Sequence, residues 1–483
     1  MRQELIIQAG EEEVQIAVLE EGKLTELFFG ESIKEGYSGN IYLGRVENVL
    51  PGMQSAFVDI GLNKNAFLYV EEAILNNGVK ENGEYHIADY VKKGEEILVQ
   101  VIKEPVRQKG SRISRQITLP GRYLVLMPLN NHLGISKKIE DQEKVQCLRE
   151  IMEEIKPPDM GVIVRTVAEN ISKKCLEEDM ENLLETWNKI TEKAKKSNPP
   201  ELINTEKPVL EKIMRDILNH NVKKVVVNNE ENYEKLRLFS KEEGNGFEIE
   251  MVQEKDLFSH FDIKNQINNA LSRKVWLENG GYIVFDETEA LTSVDVNTGK
   301  YIGKTNVFED TILETNLEAI KEIVRQIRLR NIGGIIIIDF IDMQDKEKKD
   351  YLVEELNKEL KKDRIKSHIF GITHLGLVEM TRKKVGSALS SAFERKCQNC
   401  EGRGKVTSER LVFSNIKEDL KVQVRENGYK TLIVKVSSFM YRYLLNHNAK
   451  IIKGMEEKMG IIIVIVEDYN YRDDFYEIEG IYK

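Results

Sequence analysis

Beyond residue 275 the chain alternates strand-forming and helix-forming stretches regularly, and that alternation leaves few folds open. YIVFD and ALTSVDVN read as strands. A helix follows with Leu317, Ile320, Val324 and Ile327 on one face, and Gly333-Gly334 ends it. The run IIIIDF then reads as a strand buried on both faces, and Leu352, Leu356 and Leu360 mark the next helix. The pattern predicts a layered α/β domain of ~120 residues.

The earlier chain has a different texture. The first ~35 residues alternate apolar and polar positions (Val14, Ile16, Val18, then Leu24, Leu27, Phe29) and predict a hairpin or meander. From Tyr37 to about Gly110, the runs IYLGRV, SAFVDI, AFLYV and EILVQVI are broken by Pro51-Gly52, Gly61, Asn76-Asn77-Gly78 and Gly94. That spacing suits a small β-barrel of the OB-fold kind. Residues 119 to about 207 mix the strand YLVLMP, helix-like stretches and a second strand at Gly161–Thr166, and Asn198-Pro199-Pro200 marks a linker. LEKIMRDIL and KKVVVNN form an α/β piece read as completing the sheet of the N-terminal strands. After residue 405, TLIVKV and GIIIVIV are strands of a last small α/β unit. The fold class expected is multidomain α/β (α+β).

With 483 residues, roughly three domains fit the chain. Hydrophobic residues at 41%, charged residues at 31% and nine prolines describe a globular, ordered protein. The N-terminus lacks a signal-peptide pattern, and no apolar run approaches the ~18 residues of a membrane span, so a soluble cytoplasmic protein without a transmembrane segment is expected. The four cysteines, Cys147, Cys175, Cys397 and Cys400, are too few for a disulfide framework. A net charge of -10 carries no signature of nucleic-acid binding. Two basic stretches run against that background: Lys103 to Arg115, and Thr381 to Lys405 with Arg382, Lys383, Lys384, Arg395, Lys396, Arg403 and Lys405.

Several residues could carry chemistry. Asp295 and Asn297 close one strand, and Asp339 with Asp342 closes another. Strand ends of layered α/β domains collect ligands, and magnesium takes one or two carboxylates with water and substrate phosphate completing its shell. A strand-end aspartate can also simply cap a turn or helix, but Asp339 follows four isoleucines, where an unpaired charge is costly. Cys397-Gln-Asn-Cys400 followed by Glu-Gly-Arg-Gly-Lys has the spacing of a zinc knuckle, which supplies two of four tetrahedral ligands. Cys147 and Cys175 lie in helix-like sequence and read as packed thiols, so the missing pair is expected from a second copy of the chain. A redox dithiol is the alternative reading of that pair. In the barrel, Phe57 and Phe67 can stack bases while Lys109 and Arg112 follow a backbone, or the rings can be core.

The segments GNIYLGRVENVLPGMQSAFVDIGLNKNAFLYV, GRYLVLMP, GVIVRT, FSH, GGYIVFDETEALTSVDVN, TNLEAIKEIVRQIRLRNIGGIIIIDFIDM, GLVEMTRKK and the CxxC loop together resemble the ordered motif series of the ribonuclease E/G family. The resemblance implies a ribonuclease H-like domain split over residues 1–35 and 208–274 and an OB-fold RNA-binding barrel at 36–118. It further implies a 5′-end sensor region at 119–207, a deoxyribonuclease I-like catalytic domain at 275–396, a zinc link at 397–407 and a small dimerising domain at 408–483. By motif position, Asp295 and Asp339 would hold a magnesium ion, Asn297 would orient the phosphate or its water, and Asp342 would stand behind them. Gly121, Val125, Arg165 and Thr166 match the family's 5′-monophosphate pocket; Lys137, in ISKK where the family often has arginine, would keep the charge without the planar fork.

The implied activity is an endoribonuclease cutting single-stranded, A/U-rich RNA to 5′-phosphate and 3′-hydroxyl ends, with ribosomal RNA precursors and messenger RNA as substrates. The implied assembly is a homodimer or homotetramer through a shared zinc. The chain ends at Lys483 without the long tail on which larger members assemble a degradosome, so the short, ribonuclease G-type form is expected and a scaffolding role is not. The competing readings are a non-catalytic RNA-binding or ribosome-associated protein and a phosphodiesterase acting on DNA.

Overall fold

Strands such as Tyr282–Glu287, Leu291–Asn297 and Thr431–Val436 bury every second side chain, as expected where one sheet face meets a core and the other meets water. The computed structural model describes residues 3–10, 13–31, 37–75, 85–104, 110–218, 222–243, 247–299 and 308–482. It divides into two compact units, Met1–Gly386 and Ser387–Lys483.

In the first unit, Gln3–Ala9, Glu13–Glu20 and Lys23–Glu31 form an antiparallel meander. Val222–Val227 adds in parallel beside Gln3–Ala9, with Glu248–Met251 beyond it. Leu5, Ile7, Ile16 and Val18 pack there against Leu210, Ile213 and Ile217. A five-stranded barrel follows, from Ile41–Leu50, Ser55–Asp59, Ala66–Tyr69, Glu96–Lys103 and Arg112–Ser114, closed by pairing of Ile41–Leu50 with Glu96–Lys103. Its filling is small and branched: Val46, Ala56, Val58, Ala66, Leu68, Val99 and Ile113. Glu201–Asn204 extends the barrel sheet at Ile41–Leu50. Between these lies a four-stranded sheet, with Leu119–Pro120, Leu124–Met127, Leu133–Ile135 and Gly161–Val164, covered by the helices Gln142–Ile155 and Lys173–Lys196.

The last part of this unit is a six-stranded mixed sheet in the order Lys274–Trp276, Tyr282–Glu287, Leu291–Asn297, Gly334–Asp339, Val378–Arg382, Ser367–Ile372. The helices Phe308–Leu329 and Lys346–Leu360 pack Ile320, Ile323, Val324, Ile327, Leu352 and Leu356 against its inward residues, among them Ile283, Phe285, Val294, Ile336, Ile338 and Met380. Leu317, expected on the same helix stripe, is only partly buried. The strand IIIIDF departs from the expected burial. Ile336 and Ile338 are fully buried, but Ile335 is 49% exposed, because the helices among the described residues cover one sheet face only.

The second unit has a three-stranded sheet with Thr431–Val436 in the centre, Ile462–Glu467 parallel to it and Tyr476–Ile481 antiparallel. Glu409–Asn427, Ser438–His447 and Ala449–Met459 pack Phe413, Ile416, Leu420, Met440 and Leu444 on one face. The strand Ile462–Glu467 shows Ile462, Val464 and Val466 to the outside. Among the described residues no helix is long and apolar enough to cross a membrane.

Candidate active site on an open sheet face

The face of the six-stranded sheet that no described helix covers holds the strand-end carboxylates. Asp295 and Asp339 are direct register partners across the parallel pair Leu291–Asn297 and Gly334–Asp339. Adjacent strands lie ~4.8 Å apart and register partners share a face, so the two side chains stand side by side. Both residues are exposed. Asn297, two residues beyond Asp295, donates from Nδ2 to Asp295 Oδ2 at 2.9 Å. Partial burial pushes the Asp339 carboxyl above its usual range, and the negative charges of Asp295 and Asp342 push it further. Asp342 thus belongs to the same electrostatic cluster. Asp339 escapes the cost expected after four isoleucines because it faces water where the strand ends.

Fixed hard-oxygen donors with accumulated negative charge suit a divalent cation. The fit is with a site of two protein carboxylates; among the described residues no group of three or more His, Cys, Asp or Glu side chains is arranged to hold a metal.

Asn316 escaped the sequence reading. Fully buried on the helix Phe308–Leu329, it donates to Ile341 O at 2.9 Å and accepts from Ile341 N at 3.1 Å. It therefore clamps the turn between Asp339 and Asp342. The available signal was an asparagine on the helix stripe between Ile312 and Ile320, where an amide needs a reason to be buried.

In the barrel, Phe57 and Phe67 are cross-strand partners, and Arg112 is the next partner of Phe67. The rings meet edge to face at 5.9 Å, half-buried and outside the barrel filling. Arg112 is steadied by Glu72, with 3.4 Å between Nη2 and Oε1. Lys109 lies outside the described residues. Arg115, from the same basic stretch, turns inward and donates to Tyr90 O at 2.7 Å.

Gly121 and Val125 flank the strand turn beside the helix Lys173–Lys196. The Asp179 carboxylate accepts from the amides of Arg122, Tyr123 and Leu124 at 2.9–3.2 Å. A Cβ at position 121 would stand 2.6 Å from Asp179 Oδ1, which accounts for the glycine. Arg165 donates to Asp216 Oδ1 at 2.7 Å and to the carbonyls of Gly121 and Arg122. A phosphate there would meet a guanidinium already shared with a carboxylate. Burial raises the Asp216 carboxyl, but the Arg215 and Arg165 guanidiniums outweigh it and leave it below the usual range. The Thr166 hydroxyl lies 2.7 Å from that of Ser136, and Lys137 is exposed. Its neighbour Lys138 is instead bonded to the carbonyls of Asp363 and Arg364.

The second basic stretch does not act as one surface. Arg382 is buried and pairs with Asp363 at 2.6 Å, also donating to Ile332 O, so it holds the sheet rather than a ligand. In the second unit, Cys400 Sγ accepts the Gly404 amide at 3.3 Å. Amides of Gly404 and Gly402, with Cys397 beside them, hold the Cys400 thiol below its usual range. Cys175 is partly packed, but Cys147 is exposed on the helix Gln142–Ile155 and is not the packed thiol expected, because it falls on the outer helix face.

The chain resembles proteins of one kind over almost all its length. A family model described as "Ribonuclease E/G family" matches residues 118–385, and one described as "RNase E/G, Thioredoxin-like domain" matches residues 396–481. Ribonuclease G of Haemophilus influenzae is 36% identical over 98% of this chain and 99% of that protein. Ribonuclease G of Escherichia coli K12 is 38% identical over 87% of this chain and 88% of its own. Ribonuclease E of Synechocystis is 36% identical over 81% of this chain but only 60% of that longer protein.

Proposed function

This chain belongs to the ribonuclease E/G family and is an endoribonuclease, and from that premise we propose that it cuts single-stranded, A/U-rich RNA by magnesium-assisted hydrolysis. The observation that carries the proposal is the register pairing of Asp295 with Asp339, both exposed, on the sheet face that no described helix covers. Those two carboxylates would hold the ion. An ion held there would polarise the scissile phosphate and make hydroxide available for attack. Asn297, oriented by its bond to Asp295, is placed to direct its amide at a phosphate oxygen or the attacking water. Asp342 adds charge behind Asp339, and Asn316 fixes the turn that carries both. The products would be a 5′-phosphate and a 3′-hydroxyl.

On this reading the barrel is an OB-fold that stacks bases on Phe57 and Phe67, with Lys109 and Arg112 along the backbone. Gly121, Val125, Lys137, Arg165 and Thr166 form the 5′-monophosphate sensor, and a monophosphorylated end stimulates cleavage. Residues 1–35 with 208–274 are the split ribonuclease H-like domain and 275–396 the deoxyribonuclease I-like catalytic domain. Cys397 and Cys400 share a structural zinc with the same pair of a second copy, and residues 408–483 dimerise. The protein works in the cytoplasm on ribosomal RNA precursors and messenger RNA.

The test is cleavage of a 5′-monophosphorylated, A/U-rich single-stranded RNA with and without magnesium. Asp295→Asn and Asp339→Asn should each lower the rate by at least a thousandfold while RNA still binds. Normal cutting by both variants would remove the site assignment.

A further inference from the structure

The open sheet face does not end at the carboxylates. Across the strands Lys274–Trp276, Tyr282–Glu287 and Leu291–Asn297, the register places Trp276 opposite Tyr282 and Tyr282 opposite Asn297. The next row on the same face runs Lys274, Val284, Asp295, Asp339. Trp276 is thus two strand spacings, ~10 Å, from Asn297. Its side chain is 61% exposed, and its ring meets Tyr282 edge to face at 5.5 Å. The Lys274 ammonium sits 4.0 Å from the centre of the Trp276 ring and 3.4 Å from that of Tyr282.

A lone exposed tryptophan needs no explanation, because much of any surface is apolar. This one is not alone. Two rings on the row of Asn297 and a cation on the adjoining row of Asp295 form a single cluster, in a chain whose net charge is -10. Rings offer π faces that any base can stack on, and a lysine held over them offers charge to a phosphate.

We propose that Lys274, Trp276 and Tyr282 form a stacking platform for bases next to the cut, so that single-stranded RNA lies across the strands from the carboxylates to this sheet edge. The proposal rests on the metal-site reading above and adds a positioning subsite to it. Its occupant is unpaired RNA because only splayed bases can reach a ring while the neighbouring phosphate stays at Asp295 and Asp339.

The chain has two tryptophans, and Trp187 is buried in another core, so exposure of indole reports on Trp276. In the Trp187→Phe protein without magnesium, titration with the A/U-rich RNA should quench the remaining emission and reduce acrylamide access severalfold. In cleavage with magnesium, Trp276→Ala should raise KM roughly tenfold and leave kcat within about twofold, with Trp276→Phe restoring most of the loss. An RNA lacking the base next to the cut should abolish the difference between Trp276→Ala and the parent. Unchanged acrylamide access on saturation with RNA, or an unchanged KM in Trp276→Ala, overturns the proposal. So does protection of Trp276 that follows protein concentration instead of RNA, which would make this face a subunit contact. These readings separate from the catalytic assignment: if Asp295→Asn abolishes cutting but RNA leaves Trp276 emission untouched, only the platform is lost.

Discussion

Two buried or half-buried ion pairs join separate segments of the first unit. Arg382 and Asp363 have 2% and 3% of their side chains exposed, so removing one partner leaves a charge without its counterion inside the protein. Arg382→Ala should cost about 3–5 kcal/mol, visible as a lower midpoint in denaturant, and a change under ~1 kcal/mol would show that the pair is not needed. Asp216 supports the segment around Arg165 differently. Its carboxyl is lowered in the folded chain, so the stability it adds is present above the ordinary carboxylate value of ~3.9 and is lost as pH falls through the lowered one. Asp216→Asn should therefore be less stable than the parent at neutral pH, with the gap closing toward pH 3 in thermal melts. At this scale the sequence showed residue types and their order well. It could not show that Asp339 faces water or that Arg382 faces Asp363, because both depend on which sheet face the helices cover.

Strands and helices were the most legible features, since their periods are local. The alternation at Ala56, Phe57 and Val58 marks a strand, and the structure puts the outer ring of that strand beside Phe67. The spacing of Leu352, Leu356 and Leu360 marks one helix face, and all three are buried. KKVVVNN completes the sheet of the N-terminal strands, as its sequence suggested, but the parallel sense and register of Val222–Val227 beside Gln3–Ala9 left no local trace, because over 200 residues separate the two strands. The helix Lys173–Lys196 shows what an element can do at a distance: its Asp179 gathers the amides of residues 122–124. Gly121→Ala should push against that carboxylate and lower the melting temperature by several degrees. Adding Asp179→Ala should recover little of that loss, since it leaves the amides without their acceptor; full recovery would mean the clash was the whole effect.

At the scale of the whole first unit, the helix Phe308–Leu329 is fastened to the N-terminal meander. Arg328, 5% exposed, pairs with Glu20 at 2.7 Å and Glu26 at 2.9 Å, and Arg325 donates to Leu24 O. Partners about 300 positions apart are beyond any window read along the sequence, although each charge is plain in it. For the assembly, the cysteine pair leads to a plain expectation: Cys397→Ser, or removal of zinc with a chelator, should shift the mass in light scattering toward the monomer. An oligomer that keeps its mass would rule out the shared metal.

The strand Ile462–Glu467 carries a consequence of its own. Among the described residues it stands at the edge of its sheet, with the Ile463 amide donating to Glu456 Oε1 at 2.8 Å, and it shows Ile462, Val464 and Val466 to solvent. Such a ribbon invites further strands to join it, so an isolated subunit is open to stray polymerisation unless something caps the edge. By mass action such joining grows with protein concentration, so slow precipitation in concentrated stocks, more than simple loss of activity, is the outcome to expect where the edge is left bare.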